Sequence, residues 1–286
     1  MKKQTSDTRI GLFIGVAGIL ILSPDALLLR LFDGEDLTLT TGRSAFMAIS
    51  IGALLLFFPS LRAGFQWSPV LLYSVIYAIG MFAFPMSIRH THVANTLVIM
   101  TIAPLFAAIG ARIFLHEPVA RRTWLACIAT TVGIAVIFIP QTKSGGLLGD
   151  ILALGVALSL AGCAIVIRRH PHTMMFPGLF FGAILSAIIT APFANWELSS
   201  RDFIILAVDG GFTIPVSFML IIAASRRLSP PEINLLFLLE TALAPLWVWL
   251  ALGEKPPATT TTAGVFIIAV LLAHFIATLK ATDKAK

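Results

Sequence analysis

Four charged side chains interrupt stretches of sequence that are otherwise apolar, and these are the residues best placed to do chemistry. Asp25 follows Ser23 and Pro24 near the end of one stretch, and Arg43 lies near the start of the next, so the two can form an ion pair. Asp209, followed by Gly210 and Gly211, and Glu240 sit within later stretches. A charge in a low-dielectric setting is expensive unless it meets a partner, a proton or water. Asp25, Arg43 and Asp209 therefore read as an ion-pair or gating group. Glu240, nearly central in its stretch, reads as a proton carrier, a substrate ligand or a hydrogen-bonded packing group. Among the remaining polar, aromatic and thioether side chains, Tyr77, Asn95, Met100, Ser217, Asn234 and Trp247, with Tyr73 beside them, could line a pocket that is mostly apolar with a few placed polar groups. Each could equally serve helix-to-helix hydrogen bonding or anchoring at a membrane interface.

Covalent chemistry is not indicated. The chain holds no GxxxxGKS/T, GxSxG, HExxH or DxDxDG pattern, so no ATP-driven engine or hydrolytic centre is expected, and no catalytic residue or cofactor is assigned. The two cysteines, Cys127 and Cys163, lie in separate apolar runs and offer neither a disulfide framework nor a CxxC site. His90-x-His92 and His170-x-His172 fall in short loops without acidic or thiol partners, so no metal is expected there. A membrane-embedded lipid-modifying enzyme would gather carboxylates or histidines near one interface; here the acids are scattered.

These side chains must be positioned by membrane helices. Of 286 residues, 58% are apolar and only 12% charged, against about 45–50% and about 25% in soluble globular chains. The mean hydropathy is +0.94. A hydrocarbon core takes about 20 apolar residues per helix. Stretches bounded by charge, Pro or Gly predict ten spans, at roughly 10–29, 38–58, 68–88, 93–115, 121–139, 147–167, 175–194, 203–224, 231–252 and 262–280. The polar segment Met1 to Arg9 leads into the first run without an A-x-A-type cleavage signal, and is read as the start of a span. Pro24, Pro85, Pro104, Pro215 and Pro245 fall within spans 1, 3, 4, 8 and 9. Each removes a backbone hydrogen bond, which marks those spans as cavity-lining candidates. Gly11, Gly15 and Gly18 give span 1 a GxxxG-like face suited to close packing.

The net charge of +6 is explained by topology, and nucleic-acid binding is not expected. One set of loops and tails holds Lys2, Lys3, Arg9, Arg62, Arg121, Arg122, Arg168, Arg169, Arg226, Arg227, Lys280, Lys284 and Lys286; the other holds only Arg30, Arg89, Lys143, Arg201 and Lys255. This asymmetry predicts both termini in the cytoplasm. A shift of 137 residues lays Arg89 on Arg226, Ala107 on Ala244, Leu115 on Leu252, Glu117 on Glu254 and Thr123 on Thr260. A shift of 138 lays Gly11 on Gly149 and Arg30 on Arg168. Two five-span repeats, 1–140 and 141–286, follow, and an odd number of spans per repeat places them in opposite orientations, as in many secondary transporters.

Ten spans in two repeats, with the segment from Arg89-His90-Thr91 through Ala103-Pro104-Leu105-Phe106-Ala107-Ala108 to Phe114-Leu115-His116-Glu117-Pro118, resemble an EamA repeat of the drug/metabolite transporter (DMT) superfamily. The second half carries the counterpart, from Glu240-Thr241-Ala242-Leu243-Ala244 to Leu250-Ala251-Leu252-Gly253-Glu254-Lys255. Thr241 stands where the family often has Pro, as at Pro104, and His116 stands where it commonly has Gly. The resemblance implies an all-α integral membrane protein of the bacterial inner membrane, similar to the YddG-type amino-acid exporters. It implies a central cavity among helices 1, 3, 4, 6, 8 and 9 and alternating access, with a small-molecule substrate such as an amino acid, membrane lipid around it, and a functional monomer. Glu117 and Glu254, which match the family motif, read as loop-organising. A proton-coupled exporter of lipophilic cations is the alternative within transport.

Overall fold

In the computed structural model, which describes residues 2–91, 93–138, 146–253, 255 and 258–284, the described residues form helices and no strand. The outer surface is covered by exposed apolar side chains such as Phe13, Leu71, Val132 and Val265, the inverse of a water-soluble surface. Eight helical segments are long and apolar enough to cross a membrane: Asp7–Leu31, Asp36–Phe57, Trp67–His90, Leu147–Arg169, Phe176–Phe193, Ser200–Ser225, Pro230–Leu252 and Ala258–Lys280. Val98–Phe114 is a shorter apolar helical segment. With Arg121–Phe138 these occupy all ten stretches marked out by the sequence.

Three spans are broken, each at a proline. Span 1 comprises α1 (Lys2–Leu22) and α2 (Asp25–Leu31), interrupted at Ser23-Pro24, where Ser23 Oγ donates to the Leu20 carbonyl at 2.8 Å. Span 2 is α3 (Asp36–Phe57), and span 3 is α4 (Trp67–His90), which carries Pro85 internally. Span 4 divides into α5 (Val93–Met100) and α6 (Ala103–Phe114), with Pro104 in the first turn of α6. The Thr101 carbonyl at that break accepts from Thr131 Oγ1 at 2.9 Å, a bond supplied by α7 (Arg121–Phe138). Spans 6 and 7 are α8 (Leu147–Arg169) and α9 (Phe176–Thr190). Span 8 starts as α10 (Ser200–Val208), widens into a π-turn over Asp209–Thr213 and continues as α11 (Ile214–Ser225). Pro215 has no N–H to donate into that turn, and the Gly211 carbonyl accepts from Ser50 Oγ of α3 at 2.6 Å. Backbone groups freed at these breaks are thus satisfied by Ser23 within span 1 and by neighbouring spans at the other two. Spans 9 and 10 are α12 (Pro230–Leu252), opened by a Ser229–Glu232 capping box, and α13 (Ala258–Lys284).

Between the two halves, α1 packs on α11, α4 on α8, α3 on α9, α6 on α12 and α7 on α13. The closeness of the first pair comes from the small residues of span 1. A methyl group on Gly18 would press on Ile221, Leu220 and the Ser217 carbonyl of α11, and one on Gly15 would press on Ala224 of α11 and collide with Leu236 of α12. His116 and Gly253, which the 137-residue shift superposes, both adopt left-handed backbone, at φ 55° and 71°. The proposed boundary at 140/141, with residues 139–145 around it, and Glu254 and His92 lie outside the described residues.

Candidate functional site

The breaks in spans 1 and 8 converge on one side chain. Arg43, one full turn and more into α3, sends Nη2 to Asp25 Oδ2 at 2.7 Å and Nε towards Asp209 Oδ2 at 2.9 Å. The first contact is a hydrogen-bonded ion pair; the second is a close electrostatic contact outside hydrogen-bond alignment. Asp25 is placed by the restart of the helix after Pro24, and Asp209 by the entry to the π-turn. The three residues are 3%, 5% and 1% exposed for Asp25, Arg43 and Asp209. A planar guanidinium with a fork of donors is suited to holding two carboxylates, where a lysine would satisfy one. Gly210 makes this approach possible: a Cβ there would collide with the Arg43 backbone carbonyl.

Beside the triad lies a cavity of about 840 Å³, counting the space at its mouth. It is lined from spans 1, 2, 3, 4, 6, 8 and 9, so Arg43 adds span 2 to the six spans that the family resemblance implied. Its lining runs from Ile167, Ser225 and Ile233, at the end of the bundle that carries Arg168, Arg226 and Arg227, to Asp25, Arg43 and Glu240. One wall is aromatic. Tyr73 and Tyr77 stack with centroids 5.9 Å apart, Phe218 meets Tyr77 edge-on at 5.3 Å, and Phe237 follows Phe218 at 6.1 Å. The adjoining wall comes from α8, which packs on α4: Ser159 Oγ donates to the Ile76 carbonyl at 2.7 Å, and Cys163 lies in the same packed cluster as Tyr73 and Tyr77.

At the end of the bundle away from Arg168, Arg226 and Arg227, a polar lattice ties the loops together. Arg89 Nε pairs with Asp36 Oδ1 at 2.7 Å, Thr38 Oγ1 donates to the Asn195 carbonyl at 2.7 Å, and the Asp33 N–H donates to Asp202 Oδ1 at 3.1 Å.

Of the residues singled out by sequence, the structure brings Asp25, Arg43, Tyr73, Tyr77, Met100 and Glu240 to the cavity, with Asp209 in contact with Arg43. The other four do not line it. Asn95 donates to Thr91 Oγ1 and Asp150 Oδ1 and ties α5 to α8. Ser217 and Asn234 donate to carbonyls one turn back in their own helices, Thr213 and Pro230. Trp247 donates from Nε1 to Ser23 Oγ at 2.8 Å, which fastens span 9 to the break in span 1. Phe84, Ser159, Cys163, Phe218, Phe237 and Ser225 line the cavity without having been singled out as site residues. The Ser159, Cys163, Ile167 spacing of four is the one signal that could have marked the α8 wall. Glu117, at the other end of the bundle, accepts from Arg168 Nε at 2.8 Å and joins the loop after span 4 to the end of span 6. Among the described residues, no group of three or more His, Cys, Asp or Glu side chains could hold a metal ion.

No family model matches the chain. It is 23% identical over 253 residues to the pseudopaline exporter CntI of Pseudomonas aeruginosa, covering 82% of this chain and 86% of that one. An uncharacterised transporter of Clostridium kluyveri is 21% identical over 223 residues, 73% of this chain and 72% of its own. The riboflavin transporter of Vibrio cholerae is 23% identical over 174 residues, 58% and 57%. A solved crystal structure shares the fold at a TM-score of 0.77 and 16% identity, over 93% of this chain and 97% of that one. The chain is thus an apolar, all-helical, multi-pass membrane protein whose relatives, at low identity, are named as transporters.

Proposed function

We propose that this chain is a secondary transporter that exports small organic metabolites, most of all amino acids including aromatic ones, from the cytoplasm by alternating access. The observation that carries the reading is the cavity itself: it lies between spans of both halves, is walled by aromatic and aliphatic side chains, and runs from the arginine-rich end to a buried ion triad. With the arginine-rich loops cytoplasmic, opening at that end would load the cavity from inside. Relatives named as exporter and transporters of small molecules support it. The pairing of spans between halves supports two inverted repeats, 1–140 and 141–286, because exchanging first-half with second-half spans maps the α1·α11 contact onto α4·α8 and returns the other three pairs to themselves. Export needs no covalent step. Rocking about the broken spans would open the triad end and close the mouth, with membrane lipid around a monomer in the bacterial inner membrane.

A second reading, a proton-coupled exporter of lipophilic cations, is favoured by Glu240, which lines the cavity without a hydrogen bond or ion pair among the described residues. Efflux of labelled phenylalanine and of a lipophilic cation from proteoliposomes, with and without an imposed pH gradient, separates the two. Amino-acid efflux indifferent to the gradient is expected; gradient-driven movement of the cation alone would replace the first reading by the second.

A further inference from the structure

The closed end of the cavity has more acid than base. Arg43 is the one cation lining it among the described residues, and its guanidinium is already shared between Asp25 and Asp209. Glu240 is a third carboxyl in the same place, with Asp25 and Arg43 within electrostatic reach. Asp25 spends only Oδ2 on Arg43. Its Oδ1 is buried, faces no donor among the described residues, and belongs to a side chain that lines the cavity. A buried carboxylate oxygen is ordinarily satisfied, so Asp25 Oδ1, left open beside the half-buried Glu240 at one end of a cavity, calls for an explanation.

Resting on the transport role above, we propose that Asp25 Oδ1 and Glu240 together form a subsite for the ammonium group of an amine whose aromatic or apolar body lies along the wall of Tyr77, Phe218 and Phe237. An ammonium brings three donors and one positive charge, which suits two acceptors that no protein cation has taken. The aromatic faces add attraction for a cation close by. A solute carrying only a carboxylate would meet two acidic side chains and an arginine already engaged on two sides, one of them by Asp209 behind it, and is disfavoured. A zwitterionic amino acid enters ammonium first, its carboxylate directed back towards the mouth.

Three probes of one shape, 2-phenylethylamine, 2-phenylethanol and 3-phenylpropionate, test this by calorimetric binding to the purified full-length protein and by counterflow in proteoliposomes. The amine should bind about tenfold or more tightly than the alcohol, as expected for a charge-assisted contact away from water, and the acid more weakly than either. Glu240→Gln should bring the amine down to the level of the alcohol, while Glu240→Asp keeps part of the preference. An amine that binds no better than the alcohol, or a preference that survives Glu240→Gln, overturns the subsite. Should Glu240→Gln melt too early to purify, the ranking of the three probes on the wild type decides alone. Counterflow of all three at equal rates defeats the subsite and leaves the transport reading standing, whereas no binding or movement of any probe defeats both.

Discussion

Arg43 shows how a single residue can hold three spans in register. Its two contacts, 2.7 Å to Asp25 and 2.9 Å to Asp209, join the broken first span, the second span and the π-turn of the eighth. A buried ion group of this kind contributes little net stability over an apolar replacement of all its members, but removing one member leaves the others uncompensated, at a cost of about 3–5 kcal/mol. Arg43→Met should therefore lower the melting temperature in detergent sharply. Arg43→Lys should fall between, since a point charge cannot span both carboxylates. The triple variant Arg43→Met, Asp25→Asn, Asp209→Asn should recover most of the loss. Melting of Arg43→Met at the wild-type temperature would show that the triad does not hold the spans together.

At the scale of helices, the π-turn is held by a close approach that only glycine allows. A Cβ on Gly210 would strike the Arg43 carbonyl, whereas one on Gly211 would meet nothing within 4 Å. Gly210→Ala should therefore destabilise the protein by about 1–3 kcal/mol, the range of an overpacked interior. Gly211→Ala should be neutral or stabilising by about 0.5–1 kcal/mol, because alanine loses less conformational freedom in a helix. Equal melting of the two variants would remove the close packing of the turn on α3 as the reason for Gly210.

Where spans begin, end and break was legible in the sequence, because charges, glycines and prolines carry that information locally: Pro24, Pro104 and Pro215 each mark an observed interruption. The depth of Asp25 and Arg43 was legible for the same reason, so their contact could be anticipated. Rotation of each helix about its axis was not. A span that meets lipid on one side and an apolar cavity or a neighbouring helix on the other is apolar all round, so periodicity carries no phase. Ser217 and Asn234 consequently looked available for substrate, while their side chains bond carbonyls of their own helices. Phe218, next to Ser217, is the one that reaches the cavity. Backbone shape also outran the sequence pattern: His116 departs from the glycine of its counterpart Gly253, yet takes up the same left-handed conformation.

For the whole molecule, the arrangement has two unlike ends, and the transport reading assigns them to opposite sides of the membrane. Ser225 lines the cavity at the end bearing Arg226 and Arg227, while Asp33 lies in the polar lattice of the other end with its side chain 74% exposed. Both native cysteines are buried, Cys163 on the cavity wall and Cys127 outside it, so replacing each by alanine gives a background in which a new thiol can be read alone. On that background, Asp33→Cys should react with a membrane-impermeant maleimide only in right-side-out vesicles. Arg227→Cys, exposed at the arginine-rich end, should react only in inside-out vesicles, as should Leu160→Cys on the cavity wall, where the native side chain is half-buried, the latter more slowly once 2-phenylethylamine or phenylalanine fills the cavity. Reactivity of Arg227→Cys solely from outside would invert the topology and turn loading from the cytoplasm into loading from without. Reaction of Leu160→Cys from both sides, each suppressed by the solute, would mean that the protein alternates freely at rest, so that the triad at Arg43 sets the balance between the two states without locking either.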